Sequence, residues 1–269
     1  MTEEDSPAWR RVLLARRPGR PGALDYVDRL LDRFHELHGD RLTGDDPALV
    51  GGIGAWHQRP VVVLGQQKGR TMEERRARNL GMMHPEGFRR AMRLARLGAK
   101  FGMPVLTLVD TPGASPDAVS EEHGIASAIG RAIMEWFQVP VPVVASIIGE
   151  GGSGGALGLA VGDRVLMLEH AIYSVASPEA CASIVWRDTA HRQTAADQLG
   201  LGAEDLLRAG IVDEVVAEPA GGAHADPDEA ARLLDRALTR HVRSLLSETP
   251  EALVRRRRER YRALNGALI

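Results

Sequence analysis

The sequence predicts an α/β protein built on a largely parallel, buried β-sheet. Three apolar runs, at residues 61–64, 103–110 and 141–149, are long enough for strands that are buried on both faces. The second and third are each followed by a polar or glycine-rich loop and then by a helical pattern. Because parallel strands need crossover connections, this alternation favours right-handed strand–helix–strand units.

The first half of the chain predicts a helix, a hairpin and a second helix. Apolar residues at helical spacing begin near Ala23 and continue through Phe34. Two strands follow, separated by the polar turn at residues 57–59. Pro85 stands at a plausible first helical position and Gly102 just past the helix end, so these two residues bound the next helix.

The second half repeats the strand and helix alternation. It predicts a helix at residues 121–137, a helix opened by the glycines after residue 149, and two strands before Ser177. Ser177 and Pro178 form an N-cap and N1 pair for another helix. A helix at residues 230–246 and a helical tail complete the chain, and the arginine run of the tail suits a solvated or partner-docking face better than a nucleic-acid patch.

Composition excludes several classes of function. The chain has 269 residues and a formal net charge of −2, which gives no support for binding nucleic acid or an anionic membrane. Cys181 is the only cysteine, so an intrachain disulfide and a site of several thiolates are impossible. We interpret Cys181 as a core residue of its helix. With no signal-type segment or long apolar run, the sequence predicts a cytoplasmic protein without a membrane span.

Two loops follow predicted strands at the sheet edge where open α/β sheets usually bind ligands. In the second, "GEGGSGGAL" at residues 149–157, Gly154 and Gly155 fall at the strand-to-helix junction. The first N–H groups of a helix have no intrahelical acceptor, and the helix dipole there favours negative charge. Gly154 and Gly155 are therefore candidate donors to an oxyanion, with no Cβ atom to block a planar substrate.

The first loop, "DTPGASPD" at residues 110–117, offers a second pair of candidate amides at Gly113 and Ala114. Such a pair of donors can act without a catalytic acid, base or metal. The alternative is that both loops are tight turns against a closely packed helix. Neither loop has the Lys-Ser or Lys-Thr of a P-loop or the spacing of a dinucleotide-binding motif, so nucleotide binding is not supported.

The remaining candidates have ordinary explanations. Glu150 and Glu179 are possible general bases, although helix-terminus charges or salt-bridge partners are the commoner roles. Ser153 has no particular histidine to complete a triad. Lys68 and Arg70 suit either an anionic ligand or an exposed hairpin end.

Six motifs in order resemble a known family. The chain is similar, over nearly its whole length from Trp9, to the alpha subunit of the carboxyltransferase component of bacterial acetyl-CoA carboxylase. This resemblance implies a crotonase-like fold, a spiral of ββα units. The motifs are "VGGIGAWHQRPVVVLGQQKGR", "GMMHPEGFRRAMRLA", "MPVLTLVDTPGA", "VPVVASIIGEGGSGGALGLAVGD", "YSVASPEACASIVW" and "EPAGGAH".

The resemblance also implies a reaction. Members move carboxylate from carboxybiotin, borne on a separate carrier protein, to acetyl-CoA, giving malonyl-CoA for fatty acid synthesis. Gly154 and Gly155 would donate N–H bonds to the biotin ureido oxygen, with Gly113 and Ala114 beside them. The resulting biotin enolate would remove the α-proton of the acyl-CoA, whose own enolate the beta subunit would hold.

The implied assembly divides the chemistry among several chains. An alpha2-beta2 heterotetramer is expected, with a four-cysteine zinc ribbon on the beta subunit, no metal in this chain, and ATP used only by the biotin carboxylase component. We expect an N-terminal extension at 1–22, a carboxyltransferase alpha domain at 23–246 and a C-terminal helical tail at 247–269. The resemblance further implies that the chain begins later than typical members do.

Departures from the family pattern concern the first loop. Where the family usually reads D-T-P-G-A-Y-P-G, this chain has Ser115 and Asp117, and Met83-His84 stands in place of Pro-Ala. Ile125 replaces a usual glutamine. These changes motivate one alternative, a specialised paralogue that uses another acyl thioester or acts as a decarboxylase. A second alternative, from a different class, is a non-catalytic scaffold or regulatory subunit.

Overall fold

One eight-stranded sheet organises the chain, and the computed structural model describes residues 5–266 of it. The strands are β1 (Arg33–Glu36), β2 (Leu49–Trp56), β3 (Arg59–Gln66), β4 (Val105–Thr111), β5 (Val143–Gly152), β6 (Arg164–Leu168), β7 (Ile172–Ser174) and β8 (Glu214–Val216). The helices are α1 (Pro7–Ala15), α2 (Ala23–Leu30), α3 (Met72–Ala77), α4 (Pro85–Phe101), α5 (Ala118–Glu122), α6 (Ile125–Trp136), α7 (Ser153–Ala160), α8 (Pro178–Trp186), α9 (Arg192–Leu199), α10 (Ala203–Arg208), α11 (Pro227–Leu245) and α12 (Pro250–Gly266).

The sheet is antiparallel at one edge and parallel elsewhere. Its order is β1-β2-β3-β4-β5-β6-β8, and β7 pairs with the far end of β5. The pairs β1–β2 and β2–β3 are antiparallel, whereas all pairs from β3 onward are parallel. Every residue of β4 is buried, as the apolar run predicts. The α/β class with a largely parallel sheet is therefore confirmed.

Local signals located several element boundaries correctly. The hairpin turns at His57 and Gln58, whose φ angles of 46° and 62° are the positive values that a type I′ two-residue hairpin loop requires. Helix α4 begins at Pro85, and Gly102, with φ 66°, is the C-cap that ends the helix after Phe101. Ser177 caps α8 by accepting a hydrogen bond from the backbone N–H of Ala180.

Two helix predictions were wrong in extent. Helix α2 ends at Leu30, and Phe34 lies in the short edge strand β1. The helix predicted at 121–137 is two helices, because Gly124 adopts φ 79° between α5 and α6. Apolar spacing does not mark where a helix ends. Pairing with β2 places Phe34 in a strand, and the positive φ of Gly124 interrupts the second helix.

The prediction that Cys181 is a core residue was also wrong. Cys181 is only partly buried, and its helix α8 leaves Ile184 and Val185 exposed by 76% and 60%. The buried face of α8 consists of Pro178 and Ala182, one helical turn apart. Ile184 and Val185 therefore face outward. Within residues 5–266, no helix is long and apolar enough to span a membrane.

The arginine run of the tail does not form a wholly solvated face. The Arg257 side chain is fully buried and pairs with Asp163 at 2.6 Å. Its remaining donors bind the backbone carbonyls of Trp136, Val139 and Val141. One arginine thus provides hydrogen-bond donors to the backbone carbonyls that connect α6 to β5. The same contacts hold α12 against the rest of the chain.

We predict that Arg257→Met lowers the free energy of unfolding by about 3–5 kcal/mol, because it leaves the buried Asp163 carboxylate without its cation. Arg255→Met is the matched control, since Arg255 is exposed and lies 4.0 Å from Glu259; we expect a change below about 1 kcal/mol. Urea denaturation measures both. Equal effects of the two substitutions would contradict the anchoring role of Arg257.

Candidate active site

The candidate site lies where the parallel strands β4 and β5 end. Strand β5 ends at Gly152 and α7 begins at Ser153, so Gly154 and Gly155 are the second and third residues of the helix. The predicted strand-to-helix junction is thereby confirmed. Ser153 makes the turn with φ 50°, an uncommon angle for a residue other than glycine.

The two glycine-containing loops are in direct backbone contact. A Cβ atom at Gly152 would lie 2.1 Å from the carbonyl oxygen of Pro112, and one at Gly155 would lie 2.2 Å from the carbonyl carbon of Gly113. No side chain fits at either distance. The absence of these two Cβ atoms is therefore what allows residues 112–114 to lie against the first turn of α7.

Gly154 has a different environment from Gly155. A Cβ atom at Gly154 would make ordinary contacts with Ile129 at 3.6 Å and 3.7 Å, so this position has room for a side chain. The carbonyl of Gly155 accepts a hydrogen bond of 2.8 Å from the Gln66 side chain, whose own carbonyl accepts from the backbone N–H of Asp110. Gln66 therefore links β3 and β4 to α7.

The two predicted pairs of amides are not equivalent. The N–H of Gly113 donates to the hydroxyl of Thr111 at 3.2 Å, and that hydroxyl donates to the carbonyl of Gly113 at 2.6 Å. The Gly113 N–H is therefore already bonded to the neighbouring threonine, and its role as a donor to a ligand stays a prediction. A Cβ atom at Gly113 would nevertheless have no atom within 4 Å, so this side of the loop is open to a ligand.

The backbone donors at the start of α7 lie beside residues 112–114. In the first turn of a helix the N–H groups have no acceptor within the helix, and Gly154 and Gly155 lie in this turn. They combine uncommitted donors with the positive end of the helix dipole. The arrangement suits an oxygen that gains negative charge, while Ala114 contributes backbone packed against Gly155.

Three of the residues that depart from the family pattern, His84, Ser115 and Asp117, lie in one polar cluster. The Ser115 hydroxyl donates to the Asp117 carboxylate, and Asn79 donates to the Ser115 oxygen at 2.9 Å. His84 Nδ1 lies 3.4 Å from Asp117 Oδ2 and 2.8 Å from Ser120 Oγ. Five residues from three segments of the chain therefore form one cluster at the end of the first glycine loop.

Asp117 has a helix-capping role in this cluster. It precedes α5 with φ −79°, and its side chain accepts the backbone N–H of Ser120 at 2.8 Å. The hydrogen bond from Ser115 and that from the Ser120 N–H lower the pKa of Asp117. At this φ any residue is accommodated, so the position does not require the glycine that is usual in the family. Ile125, another departure, is buried at the start of α6.

Ionic contacts tie the carboxyl ends of three strands together beneath the loops. The Lys68 ammonium pairs with Asp110 at 2.8 Å and with Glu150, and Arg16 pairs with Glu150 and Glu179, each at 2.6 Å. Lys68 is therefore part of an ion cluster, and the exposed-hairpin alternative was wrong for Lys68. It was correct for Arg70, whose side chain is 70% exposed. The salt-bridge interpretation of Glu150 and Glu179 was correct.

Charge balance fixes the protonation of this cluster. Burial would lower the pKa of Lys68, but the charges of Asp110 and Glu150 outweigh burial and raise it. Burial would likewise raise the pKa of Glu150, but Lys68 and Arg16 outweigh it and lower the pKa. Both groups are charged at neutral pH, which leaves Glu150 poorly suited to act as a general base.

Sequence reasoning missed Gln66 and Thr111 as parts of the site. Both are buried polar residues inside otherwise apolar strands, which was the available signal. The partners of Gln66, Asp110 and Gly155, are distant in the sequence, so pattern alone does not reveal its role. Thr111 instead bonds to Gly113, two residues further along the same loop. Among the described side chains, no group of three or more His, Cys, Asp or Glu residues is arranged to hold a metal ion.

Solved structures share this fold at low sequence identity. A Pseudomonas malonate decarboxylase hetero-tetramer in complex with coenzyme A aligns with a TM-score of 0.67 and 16% identity, over 87% of this chain and 91% of that one. The transcarboxylase 12S core aligns with a TM-score of 0.66 and 19% sequence identity, over 84% of this chain and 44% of that one. The chain thus has the crotonase-like fold of carboxyltransferases, as the resemblance implied.

Sequence comparison identifies the family within this fold. Residues 4–265 match the family described as acetyl co-enzyme A carboxylase carboxyltransferase-like, so the chain belongs to that family. It is 53% identical to the carboxyl transferase subunit alpha of Deinococcus radiodurans, over 96% of this chain and 82% of that one. It is 51% identical to the carboxyl transferase subunit alpha of Thermus thermophilus, over 98% of this chain and 85% of that one. These findings confirm the resemblance to the alpha subunit.

Some relatives are longer than this chain. A Salinispora tropica protein named as carboxyl transferase subunits beta/alpha is 54% identical over 97% of this chain, which spans only 46% of that protein. The chain therefore corresponds to about half the length of such relatives.

We predict that Gly155→Ala destabilises the protein by about 1–3 kcal/mol or more, because its Cβ would overlap the backbone of Gly113. Gly154→Ala is the matched control, with space beside Ile129 and a better helix former, and we expect a change within about 1 kcal/mol. Thermal unfolding compares the two. Equal stability of both variants would refute the close contact between the loops.

We predict that Glu150→Gln costs about 1–3 kcal/mol at pH 7, since it removes one of the two carboxylates that neutralise the partly buried Lys68. The lowered pKa of Glu150 contributes stability above its unfolded value of about 4.3, and this contribution is lost as the pH falls through the folded value. The difference in the free energy of unfolding between wild type and variant therefore becomes smaller as the pH falls below about 4.3. Urea denaturation at several pH values measures it, and a difference that stays constant down to pH 3 would disprove the charge balance.

Proposed function

We propose that this chain is the biotin-binding subunit of an acyl-CoA carboxyltransferase, which moves carboxylate from carboxybiotin on a carrier protein to acetyl-CoA and yields malonyl-CoA. The observation that supports this most is the uncommitted pair of N–H groups at Gly154 and Gly155, beside the open side of Gly113. The family to which the chain belongs, described as acetyl co-enzyme A carboxylase carboxyltransferase-like, supports acetyl-CoA as the substrate.

The donor set fits the ureido oxygen of biotin. Carboxybiotin supplies the carboxylate and leaves negative charge on that oxygen. The N–H groups of Gly154 and Gly155 stabilise the charge, and the dipole of α7 adds to their effect. The rigid contact between residues 112–114 and α7 holds these donors in place before the reaction.

This division of roles leaves proton transfer to other groups. Glu150 is held in ion pairs with Lys68 and Arg16, and Glu179 is held by Arg16. We therefore assign no general base to this chain, and the biotin ureido oxygen is the proposed base.

The proposed assembly contains a zinc-ribbon beta subunit and a biotin carboxyl carrier protein. The beta subunit would hold the acyl-CoA enolate, and alpha2-beta2 is the proposed stoichiometry. ATP would be used only by a separate component, and the location would be the cytoplasm. The Salinispora relative named for both beta and alpha subunits supports the beta partner, and the malonate decarboxylase with the same fold is titled a hetero-tetramer.

A second candidate function follows from the polar cluster of Ser115, Asp117 and His84. Because this cluster borders the first glycine loop, it supports a paralogue that acts on another acyl thioester or as a decarboxylase. The two candidates differ in which thioester reacts fastest and in whether free carbon dioxide is released.

We predict that the chain, co-expressed with its beta subunit, converts malonyl-CoA and free biocytin into acetyl-CoA and carboxybiocytin. Several acyl-CoA thioesters are compared in the same assay, with each subunit alone as the control. A faster reaction with another thioester would favour the paralogue. Absence of transfer with every thioester would overturn the carboxyltransferase function.

Two variants at Gly154 test the proposed donor within this assay. Gly154→Pro removes the N–H of the second helical residue, whereas Gly154→Ala keeps it. We expect a loss of about 10²–10³-fold in kcat for the proline variant and little change for the alanine variant. Thermal unfolding verifies that both are folded. A folded proline variant with the wild-type rate would show that Gly154 is not the donor.

A further inference from the structure

An arginine-lined groove lies between α4 and α6, outside the site described above. Its volume is about 590 Å³, and the loop that contains Arg41 and Leu42 forms one wall. Arg93 and Arg131 line the two helices, above a floor that includes Phe88. We call this cavity the arginine groove.

Only part of its positive charge is neutralised inside the protein. Arg89 pairs with Asp40 and Glu86, and Arg96 pairs with Glu135. These pairs account for the carboxylates around the groove and leave three other arginines without one.

Those three arginines have no ion pair among residues 5–266. Arg93 donates only to the backbone carbonyls of Gly39 and His38, which carry no net charge. Arg41 and Arg131 are exposed on the walls. Burial, and then the charges of Arg41 and Arg90, lower the pKa of Arg93. An anionic partner would therefore be attracted to the groove.

The groove is one helix away from the proposed donors. On α6, Ile129 faces the Gly154 position at 3.6 Å, whereas Ala128 and Arg131 of the same helix line the groove. A helix with its side chains is about 10–12 Å across. A macromolecule seated on the arginine groove therefore lies close enough to present a long, flexible side chain to Gly154.

We propose that the arginine groove docks an acidic surface of the biotin carrier protein. This inference rests on the proposed function, because a carrier that delivers biotin to Gly154 and Gly155 must dock within reach of its biotinylated lysine. Leu42, which is 74% exposed beside Arg41, supplies an apolar contact within the charged rim. An exposed leucine among arginines favours a protein partner over a small phosphate ligand.

The test compares a biotinylated carrier protein with free biocytin as the substrate of the assembled enzyme. The variants are Arg41→Gln, Arg131→Gln and the double variant. Arg243→Gln is the matched control, because Arg243 is also exposed and lines a different cavity, on α11. We expect the double variant to raise KM for the carrier protein about tenfold. KM and kcat with biocytin stay unchanged, and the control matches wild type.

Direct binding of the carrier protein, measured at low and high salt, completes the test. We expect the wild-type affinity to fall with salt and the double variant to lose most of that dependence. Carrier binding that is equal in wild type and double variant would overturn the proposal, as would a rise in KM for acyl-CoA alone, which would assign the groove to the nucleotide end of that substrate. Carrier binding that depends on the arginines without any turnover of biocytin would support docking and refute the proposed function.

Discussion

The close approach of two backbones at Gly152 and Gly155 is the constraint on which the site depends. Because neither residue has a Cβ atom, residues 112–114 lie directly against the start of α7. The helix then presents its unsatisfied N–H groups beside the loop at the end of β4. The conformational entropy that glycines lose on folding is the cost of this contact. The benefit is a pair of donors whose geometry does not depend on any side-chain rotamer.

Charged and polar side chains keep that contact in register. Lys68, Asp110 and Glu150 join the carboxyl ends of β3, β4 and β5, and Arg16 extends the cluster to the segment before α2. Gln66 adds hydrogen bonds to Asp110 and Gly155. These ionic contacts hold the strand ends and the loops that follow them in place. This is consistent with a reaction in which backbone amides stabilise the developing negative charge.

Much of the fold follows from local signals in the sequence, whereas the interior polar contacts do not. The glycine run located the β5–α7 junction, and Pro85 with Gly102 bounded α4, because each acts through its own backbone. The burial of Arg257 depends on carbonyls and a carboxylate more than 90 residues away in the chain. The use of the Gly113 N–H by Thr111 depends on the loop geometry. Residue types alone indicate neither contact.

The central claim is that the amides at the start of α7 bind the ureido oxygen of biotin. The most direct measurement is a crystal structure of the chain with its beta subunit and biocytin. We expect the ureido oxygen of biocytin to lie within about 2.7–3.2 Å of the backbone nitrogens of Gly154 and Gly155, on the open side of Gly113. Biocytin bound with its ureido group away from α7, and these amides without a ligand, would contradict it.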